Sequence, residues 1–365
     1  MFGKLLGRLF LPFSILSCLV AQSSQQAVVP PANATLDGSD QFFVAGTVEA
    51  RRHLTLIDGS LLSSIANHTL TALAFRRDAS QNAYAGGIAN LTVKLSHAAR
   101  SWDRASAAFA ANHGPDLTTV FSGPISIPAS PPASGPNVPW TPANTLAIPF
   151  QTPFLYLGGT LAVEVSGAPD PAHQVPSWPA DAVWEPTGGT AQSVGSGCGA
   201  FGGPNGEWSF VTATNFVPGG TAGFMAIGSP YDLGCWILAA NAQAGAVDLS
   251  PFGAPGCYGN VQGMLGSALL FFSPPILPQR PADGGIAIVE LQLPATSTFL
   301  GASLASQWLR LGAGGLTSSN AHQWTIALSM PALPVTLVSA PVVSGEPVTG
   351  RVTPGCGHVM RFDLL

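Results

Sequence analysis

Residues 70–76, LTALAFR, and residues 89–96, ANLTVKLS, decide the fold of this chain. Both are short runs of strand-forming residues that end at turn residues. Similar runs occur elsewhere in the first half of the chain, at residues 41–48, 118–121, 145–151 and 159–166. Strands of this length at this spacing are typical of a β-sandwich. The pattern predicts an all-β protein with two β-sandwich, jelly-roll-like domains and only short helical pieces, and residues 102–112 are the one helical candidate.

The composition agrees with a turn-rich exported protein. The 365 residues include 42 glycines and 33 prolines, but only 13 lysines and arginines and 18 aspartates and glutamates. The formal net charge is −5, and the only basic pairs are Arg51-Arg52 and Arg76-Arg77. Nucleic acids and anionic lipids are bound by clustered positive charge. We therefore expect no nucleic-acid partner.

Strand-like runs in the second half lie between glycine and cysteine residues, at 208–214, 223–227, 235–238, 285–293, 304–309 and 322–329. A proline-rich stretch separates the halves and indicates a domain boundary. We expect a first sandwich at 40–168, a linker at 169–196 and a second sandwich at 197–340. Residues 341–365 are expected to add strands to the second domain, tied there by Cys356.

The first 23 residues have the layout of a signal peptide. Lys4 and Arg8 precede an apolar run over residues 9–21, and Ala21 and Ser23 fit a small-residue cleavage site. The run is too short to span a membrane, which needs roughly 20 apolar residues. Cys18 suggests lipidation as an alternative, but the apolar run continues beyond it. The sequence predicts a secreted or cell-surface protein without a membrane span.

Four cysteines follow the signal peptide, at Cys198, Cys235, Cys257 and Cys356. An even number of cysteines in an exported chain indicates disulfides. Their spacing fits no compact zinc motif. We predict two bridges and no free thiol, with the pairing left open.

No catalytic motif stands out, so the candidate sites are weaker patterns. Trp178 and Trp184 are candidates for stacking on a carbohydrate, and Asp181 and Glu185 flank the second of them. The alternative is that the two indoles pack one domain onto the other. Glu164 alternates with Val163 and Val165 on a strand, so it is expected to face solvent.

No metal site is predicted, although a structural calcium ion would suit loops rich in oxygen ligands. The loop residues that could supply such ligands are Asp37, Asp40, Asp78, Asn82, Asn112 and Asp116. They show no Asp-x-Asp-x-Asp spacing, so the sequence does not group them.

Two resemblances extend this interpretation. The first half contains, in order, TALAFRRD (71–78), LTVKLS (91–96), FAAN (109–112), VFSG (120–123) and TPFLY (152–156). It resembles a β module of bacterial exported proteins, including those with a PEP-CTERM sorting tail, although this chain has no Pro-Glu-Pro tail. The second half contains GCG (197–199), PGG (218–220), VDL (247–249), GAPGC (253–257), FLG (299–301), QW (307–308) and GLTSSN (315–320). It resembles a C-terminal module of planctomycete-type secreted proteins.

The resemblances imply a surface or matrix component and assign no activity. We therefore expect an exported, non-catalytic structural or adhesive protein, with extracellular polysaccharide or other surface proteins as partners. A carbohydrate-binding protein is the first alternative, and coplanar exposed aromatic side chains would favour it. A secreted hydrolase is the second, and a cleft with convergent acids of perturbed pKa would favour it.

Overall fold

The computed structural model describes residues 25–173, 176–199, 208–212, 216–229, 231–263, 269–272, 277–280, 284–343 and 345–365. The predictions for the signal peptide and Cys18 lie outside the described residues. Antiparallel strands joined by turns and short 3-10 helices form the described part, so the predicted all-β, sandwich-like fold is confirmed. No helix among these residues is long and apolar enough to cross a membrane.

The strands, in chain order, begin with β1 Gln25–Val29, β2 Asp40–Phe43, β3 Arg51–Ile57, β4 His68–Arg76, β5 Gly87–His97, β6 Thr118–Ile127, β7 Thr145–Tyr156, β8 Leu161–Pro169, β9 Pro179–Trp184, β10 Thr190–Val194, β11 Ser209–Val211 and β12 Thr221–Gly228. They continue with β13 Leu233–Ala239, β14 Ala242–Asp248, β15 Tyr258–Val261, β16 Leu269–Phe272, β17 Leu277–Arg280, β18 Gly284–Gln292, β19 Ser303–Gly312, β20 Gly315–Thr325, β21 Val335–Pro341, β22 Arg351–Pro354, β23 Cys356–His358 and β24 Met360–Leu364. Short 3-10 helices are formed by Pro31–Asn33, Gly59–Ile65, Trp102–Arg104, Phe109–Asn112, Pro142–Asn144, Ser250–Phe252 and Ser297–Phe299.

The first sandwich consists of a four-stranded sheet, β1-β24-β4-β7, and a six-stranded sheet, β22-β21-β3-β8-β5-β6. A further sheet, β2-β9-β23, completes this unit. Alternate residues of β5, among them Leu91, Val93 and Leu95, point into a largely aliphatic core that also contains Leu73 and Phe75 of β4. The period-two pattern of the sequence thus produces one buried face on each sheet.

The second sandwich pairs a five-stranded sheet, β10-β20-β19-β13-β16, with a four-stranded sheet, β11-β12-β18-β17. The hairpin β14-β15 forms a separate two-stranded sheet. Aromatic rings fill the interior: the ring centroids of Phe224 lie 4.9 Å from Trp236 and 5.3 Å from Trp324. Trp208 and Trp308 belong to the same buried cluster.

The last strands belong to the first sandwich, which corrects the expectations that the second sandwich extends to residue 340 and that residues 341–365 are tied to it. β21 pairs with β3 along its whole length, and β24 lies between β1 and β4. β23 pairs with β9. The chain therefore leaves the first sandwich after β9, builds the second, and returns to add β21 and β24 inside sheets of the first and β22 and β23 at sheet edges. Composition does not predict this topology, because strand pairing depends on contacts between residues far apart in the sequence.

Residues 102–112 form two 3-10 turns, Trp102–Arg104 and Phe109–Asn112, instead of one helix. Ala105 and Ala108 between them are extended, with ψ angles of 139° and 114°. The side chain of Asn112 fixes this loop: it accepts a hydrogen bond from the Ser106 amide at 2.7 Å and donates to the Ser106 carbonyl at 2.8 Å. The segment acts as a cover over the six-stranded sheet, where Ala105 and Phe109 pack against Leu54 and Ala162.

Glu164 lies beneath this cover, so the prediction that it faces solvent is wrong. Its strand, β8, runs between β3 and β5, and its side chain is 1% exposed. The carboxylate pairs with Arg52 at 2.7 Å and with Lys94 at 3.1 Å, and His113 Nε2 lies 3.0 Å away. Burial alone would raise the pKa of Glu164, but the hydrogen bonds of His113 and Arg52 and the positive charges hold it at about 2.

Candidate functional site

A cleft of about 540 Å³ is lined by residues of both sandwiches. Most of its lining comes from β2, β3, β21 and β22 of the first unit, and Thr212 and Thr221 contribute from the second. Ligand sites in proteins commonly have volumes of about 300–1,000 Å³ and often lie between domains. The volume and the position of the cleft are therefore those of a typical ligand-binding site.

Aromatic side chains from two paired strands line part of the cleft. β2 supplies Phe42 and Phe43, and β9 ends at Trp184. The two strands are antiparallel, with Phe43 opposite Pro179. Phe43 is 40% exposed and Trp184 is half-buried. Rings held on a sheet and open to a cleft offer flat apolar surface to a ligand.

Charged side chains lie beside these rings. Arg51 forms an ion pair with Glu49, and both line the cleft together with Asp40. Arg351 is held by the second sandwich: its Nη2 donates to Glu290 Oε1 at 2.6 Å and to Thr212 Oγ1 at 3.1 Å. The cleft thus combines apolar rings with hydrogen-bonding groups whose positions are already fixed.

The two units are joined around this site by further hydrogen bonds. The Val352 amide donates to Thr221 Oγ1 at 2.9 Å. Gln292 of β18 accepts from the Ala107 amide at 3.1 Å and donates to the Ala105 carbonyl at 3.0 Å. These contacts connect β22 and the loop over Glu164 to the second sandwich.

Two buried histidines lie next to the cleft. His53 of β3 lines it, and its ring centroid lies 5.5 Å from that of His358 in β23. Burial lowers the pKa of His53 well below its ordinary value, with added repulsion from His358 and Arg51. Burial likewise lowers the pKa of His358 to about 4. Both rings are therefore neutral at pH 7.

Trp178 cannot stack on a carbohydrate in this structure, which corrects one of the two indole predictions. It is 0% exposed, belongs to the core of the first sandwich, and its Nε1 donates to Ser130 Oγ at 2.8 Å. Trp184, six residues later, lines the cleft. The prediction for Trp184 stays a prediction, and Trp178 packs inside the first sandwich and not between the two sandwiches.

One disulfide is present in the described part of the chain, where two were predicted. Cys198 and Cys257 are bridged, with a Cα–Cα distance of 5.3 Å. Cys235 and Cys356 are free, so the prediction that no thiol remains is wrong for them. Cys235 is on β13 of the second sandwich and Cys356 is on β23 of the first, and no bridge joins them. Burial raises the pKa of both thiols.

The predicted acidic pair Asp181 and Glu185 does not form an open site. Asp181 is 0% exposed and bonds to Arg76 Nε at 3.0 Å. Glu185 Oε2 accepts from the Leu333 amide at 2.7 Å. Neither residue lines the cleft. Two carboxylates for glycoside hydrolysis must reach one sugar from two sides, and these are engaged with the protein instead.

The calcium candidates do not form one group. Asp37 and Asp78 lie close together and are joined by Asp181, which the sequence pattern places beside Trp184. Asn112 closes the loop over Glu164, and Asp116 pairs with His97. The Asn82 carbonyl accepts a hydrogen bond from Arg77 at 3.3 Å.

A buried serine–histidine contact in the second sandwich was missed at the sequence level. Ser209 Oγ lies 2.9 Å from His322 Nε2, beside Asn320, and all three line a groove of about 440 Å³. The Asn320 carboxamide oxygen accepts from the Ser209 amide at 3.0 Å, so the group ties β11 to β20. Its only signal in the sequence is the Asn-x-His alternation on one strand face. Ser209 is 2% exposed.

Comparison with known proteins finds no family model that matches the chain and no curated protein that is significantly similar to it.

Proposed function

We propose that the protein is an exported, non-catalytic structural or adhesive protein that holds extracellular polysaccharide in the cleft between its two sandwiches. The observation that carries the proposal is the cleft itself, in which Phe42, Phe43 and Trp184 lie beside Arg51 and Arg351. Sugar rings offer apolar faces and many hydroxyl groups, so they are recognised by flat aromatic surface together with fixed hydrogen-bonding groups.

Two further features support a binding role outside the cell. The Cys198–Cys257 disulfide is typical of an oxidising compartment. Asp78 and Asp181, whose pKa values are raised, and Glu164, whose pKa is lowered, all lie away from the cleft. A hydrolytic site would gather such acids around its ligand. The resemblance to bacterial surface modules also predicts a role outside the cell, and it stays a prediction.

A secreted hydrolase is the second candidate, and the Ser209–His322 contact favours it. A hydroxyl within hydrogen-bond reach of an imidazole is the arrangement of an activated nucleophile. The burial of Ser209 and its bonding to Asn320 favour a structural role. The two candidates are separated by the binding experiment below if the protein is also incubated with the same polysaccharides in solution. Those incubations are then assayed for released reducing ends and for ester hydrolysis.

The test is affinity electrophoresis of the mature chain in gels that contain hydroxyethyl cellulose, xylan, alginate or chitosan. We expect retardation in at least one gel, and Phe43→Ala together with Trp184→Ala should weaken it tenfold or more. Phe252→Ala is the matched control, because that ring is 56% exposed on the second sandwich, outside the cleft. Equal retardation of the cleft variant and the control would overturn the proposal, as would the absence of retardation in all four gels.

A further inference from the structure

Three aspartates from three separate segments meet beside β9. Asp37 lies in the loop before β2, Asp78 follows β4, and Asp181 is in the middle of β9. One carboxylate oxygen from each lies within 4.8 Å of the others. Strand pairing brings them together: β9 pairs with β2, and the Asp78 amide donates to the Pro179 carbonyl at 3.0 Å.

Asp181 is the fixed member of this cluster. Its Oδ2 accepts from Arg76 Nε at 3.0 Å and also from Arg76 Nη2, while its Oδ1 accepts from the Gly38 amide at 2.6 Å. Arg76 is 0% exposed and also donates to the carbonyls of Leu36 and Val138. One buried ion pair therefore holds the loop that carries Asp37 in place.

Asp78 and Asp37 form no such ion pair with a described residue, although a hydrogen bond from the Ala79 main chain and the charges of Arg76 and Arg77 favour the ionised form of Asp37. Asp78 is 9% exposed, and no described residue donates a hydrogen bond to its carboxylate. The neighbouring Arg77 donates instead to main-chain carbonyls, including those of Asp78 and Ser80, and its guanidinium lies 3.9 Å from the Tyr84 ring centroid. Asp37 Oδ1 is buried and has no hydrogen-bond partner among the described residues.

A buried anionic oxygen without a donor, such as Asp37 Oδ1, is costly, and burial disfavours the charged form of each carboxyl group. Burial raises the pKa of Asp78 to about 7 and that of Asp181 to about 6, and it also raises the pKa of Asp37. The charges of Asp37, Asp181 and Asp40 add to the shift at Asp78. Four carboxylates thus influence one another beside two guanidiniums, those of Arg76 and Arg77.

We propose that Asp37, Asp78 and Asp181 bind one divalent cation, and that the cation is calcium. One carboxylate oxygen from each residue lies close enough to the others for a single Ca²⁺ ion to contact all three, because its ligand oxygens lie at about 2.3–2.6 Å. Ca²⁺ takes six to eight oxygens in irregular geometry, so water and second carboxylate oxygens can complete the shell. Two positive charges would also balance four carboxylates beside two guanidiniums.

Such an ion would connect the loop before β2 to β4 and β9. β2 carries Asp40, Phe42 and Phe43, which line the cleft. The ion would therefore stabilise one wall of the cleft, although the metal site does not depend on what the cleft binds. The metal site binds a cation and is tested by metal titration, whereas the proposed function concerns a polysaccharide and is tested by affinity electrophoresis.

The test uses the EDTA-treated mature chain and CaCl₂, with KCl at matched ionic strength as the control. We expect the melting temperature to rise by about 3–5 °C when Ca²⁺ is tenfold above its dissociation constant. Tb³⁺ should give sensitised emission, because Trp140 lies 5.3 Å from the Arg76 guanidinium, and Ca²⁺ should quench that emission by displacement.

Asp78→Asn is the decisive variant, because no described residue bonds to the Asp78 carboxylate. The substitution therefore breaks no hydrogen bond or ion pair of the fold. It should lose the Ca²⁺-induced shift and the Tb³⁺ signal, while Asp116→Asn, which alters an exposed pair with His97, should keep both. An unchanged melting temperature of the wild type in millimolar Ca²⁺ would overturn the proposal and leave a proton shared by Asp37 and Asp78 as the compensation. Retention of the Tb³⁺ signal by Asp78→Asn would also overturn it.

Discussion

The two sandwiches are stabilised by different interactions. The first encloses charged groups: Glu164 with Arg52 and Lys94, and Asp181 with Arg76, all of them largely or fully buried. The second encloses stacked aromatic rings and carries the disulfide. Buried ion pairs respond to pH and tolerate the loss of a partner poorly. Aromatic burial and a covalent link do not titrate, so the two halves should fail under different conditions.

The largest expected effect comes from removing the buried carboxylate of the first sandwich. Glu164→Ala removes the buried anion of Arg52 and Lys94, which among the described residues keep only the exposed Glu346, at 3.3 and 3.7 Å, and it should lower the free energy of unfolding by about 3–5 kcal/mol. Hydrogen exchange should accelerate in β3, β5 and β8 before it accelerates in β13 and β19. Glu290→Gln is the control, because its pair with Arg351 is 41% and 31% exposed and contributes about 1 kcal/mol or less. Similar losses for the two variants would contradict the contrast.

Loss of the disulfide should have the next largest effect, and it should be confined to the second sandwich. Replacing Cys198 and Cys257 by serine opens a loop of 59 residues and should cost about 2–4 kcal/mol. Exchange should rise in the hairpin β14-β15, since Cys257 precedes β15 and packs with Leu249. Cys235→Ser, on the same sandwich but unbridged, is the matched control. A uniform loss of protection over both sandwiches would show that they unfold as one unit.

Mild acid should weaken the first sandwich through its histidines. The folded pKa of His358, about 4, lies below the ordinary value of 6.5. Its contribution is therefore complete above pH 6.5 and is lost as the pH falls toward 4, at about 1.4 kcal/mol per pH unit. His358→Phe should flatten the pH dependence of urea unfolding between pH 6.5 and 5. Asp78 acts in the opposite direction in this range, because its raised pKa makes the fold more stable as the pH falls from 7. The measurement therefore compares the pH dependence of the unfolding free energy in His358→Phe with that of the wild type. Identical slopes would refute the assignment of this pH dependence to His358.

Much of the architecture was predictable because it depends on local patterns. Runs such as residues 70–76 and 89–96 alternate or continue as strands do, and they fall within β4 and β5. Residues 102–112 did not follow their local pattern, because they form two 3-10 turns and not one helix. The alanine-rich spacing favoured a helix, but the side chain of Asn112 bonds the loop into two separate turns. A tertiary role for one side chain outweighed a weak local propensity.

The site was less predictable, because it depends on which strand face is covered. Trp178 and Trp184 look alike in the sequence, yet one is sealed in the core and the other lines the cleft. Asp37 and Asp78 were named as loop ligands, but Asp181 joins them only through the pairing of β2 with β9.

The sequence by itself determined the fold class, the turn-rich character and the cysteines from which a bridge could form, because these follow from residue type and short-range spacing. The tertiary structure decided that Cys198 pairs with Cys257, that the final strands return to the first sandwich, and that Glu164 is buried beneath residues 102–112. Alternation along a strand assigns two faces but cannot say which face a distant segment will cover. That choice is made by contacts between residues far apart in the chain.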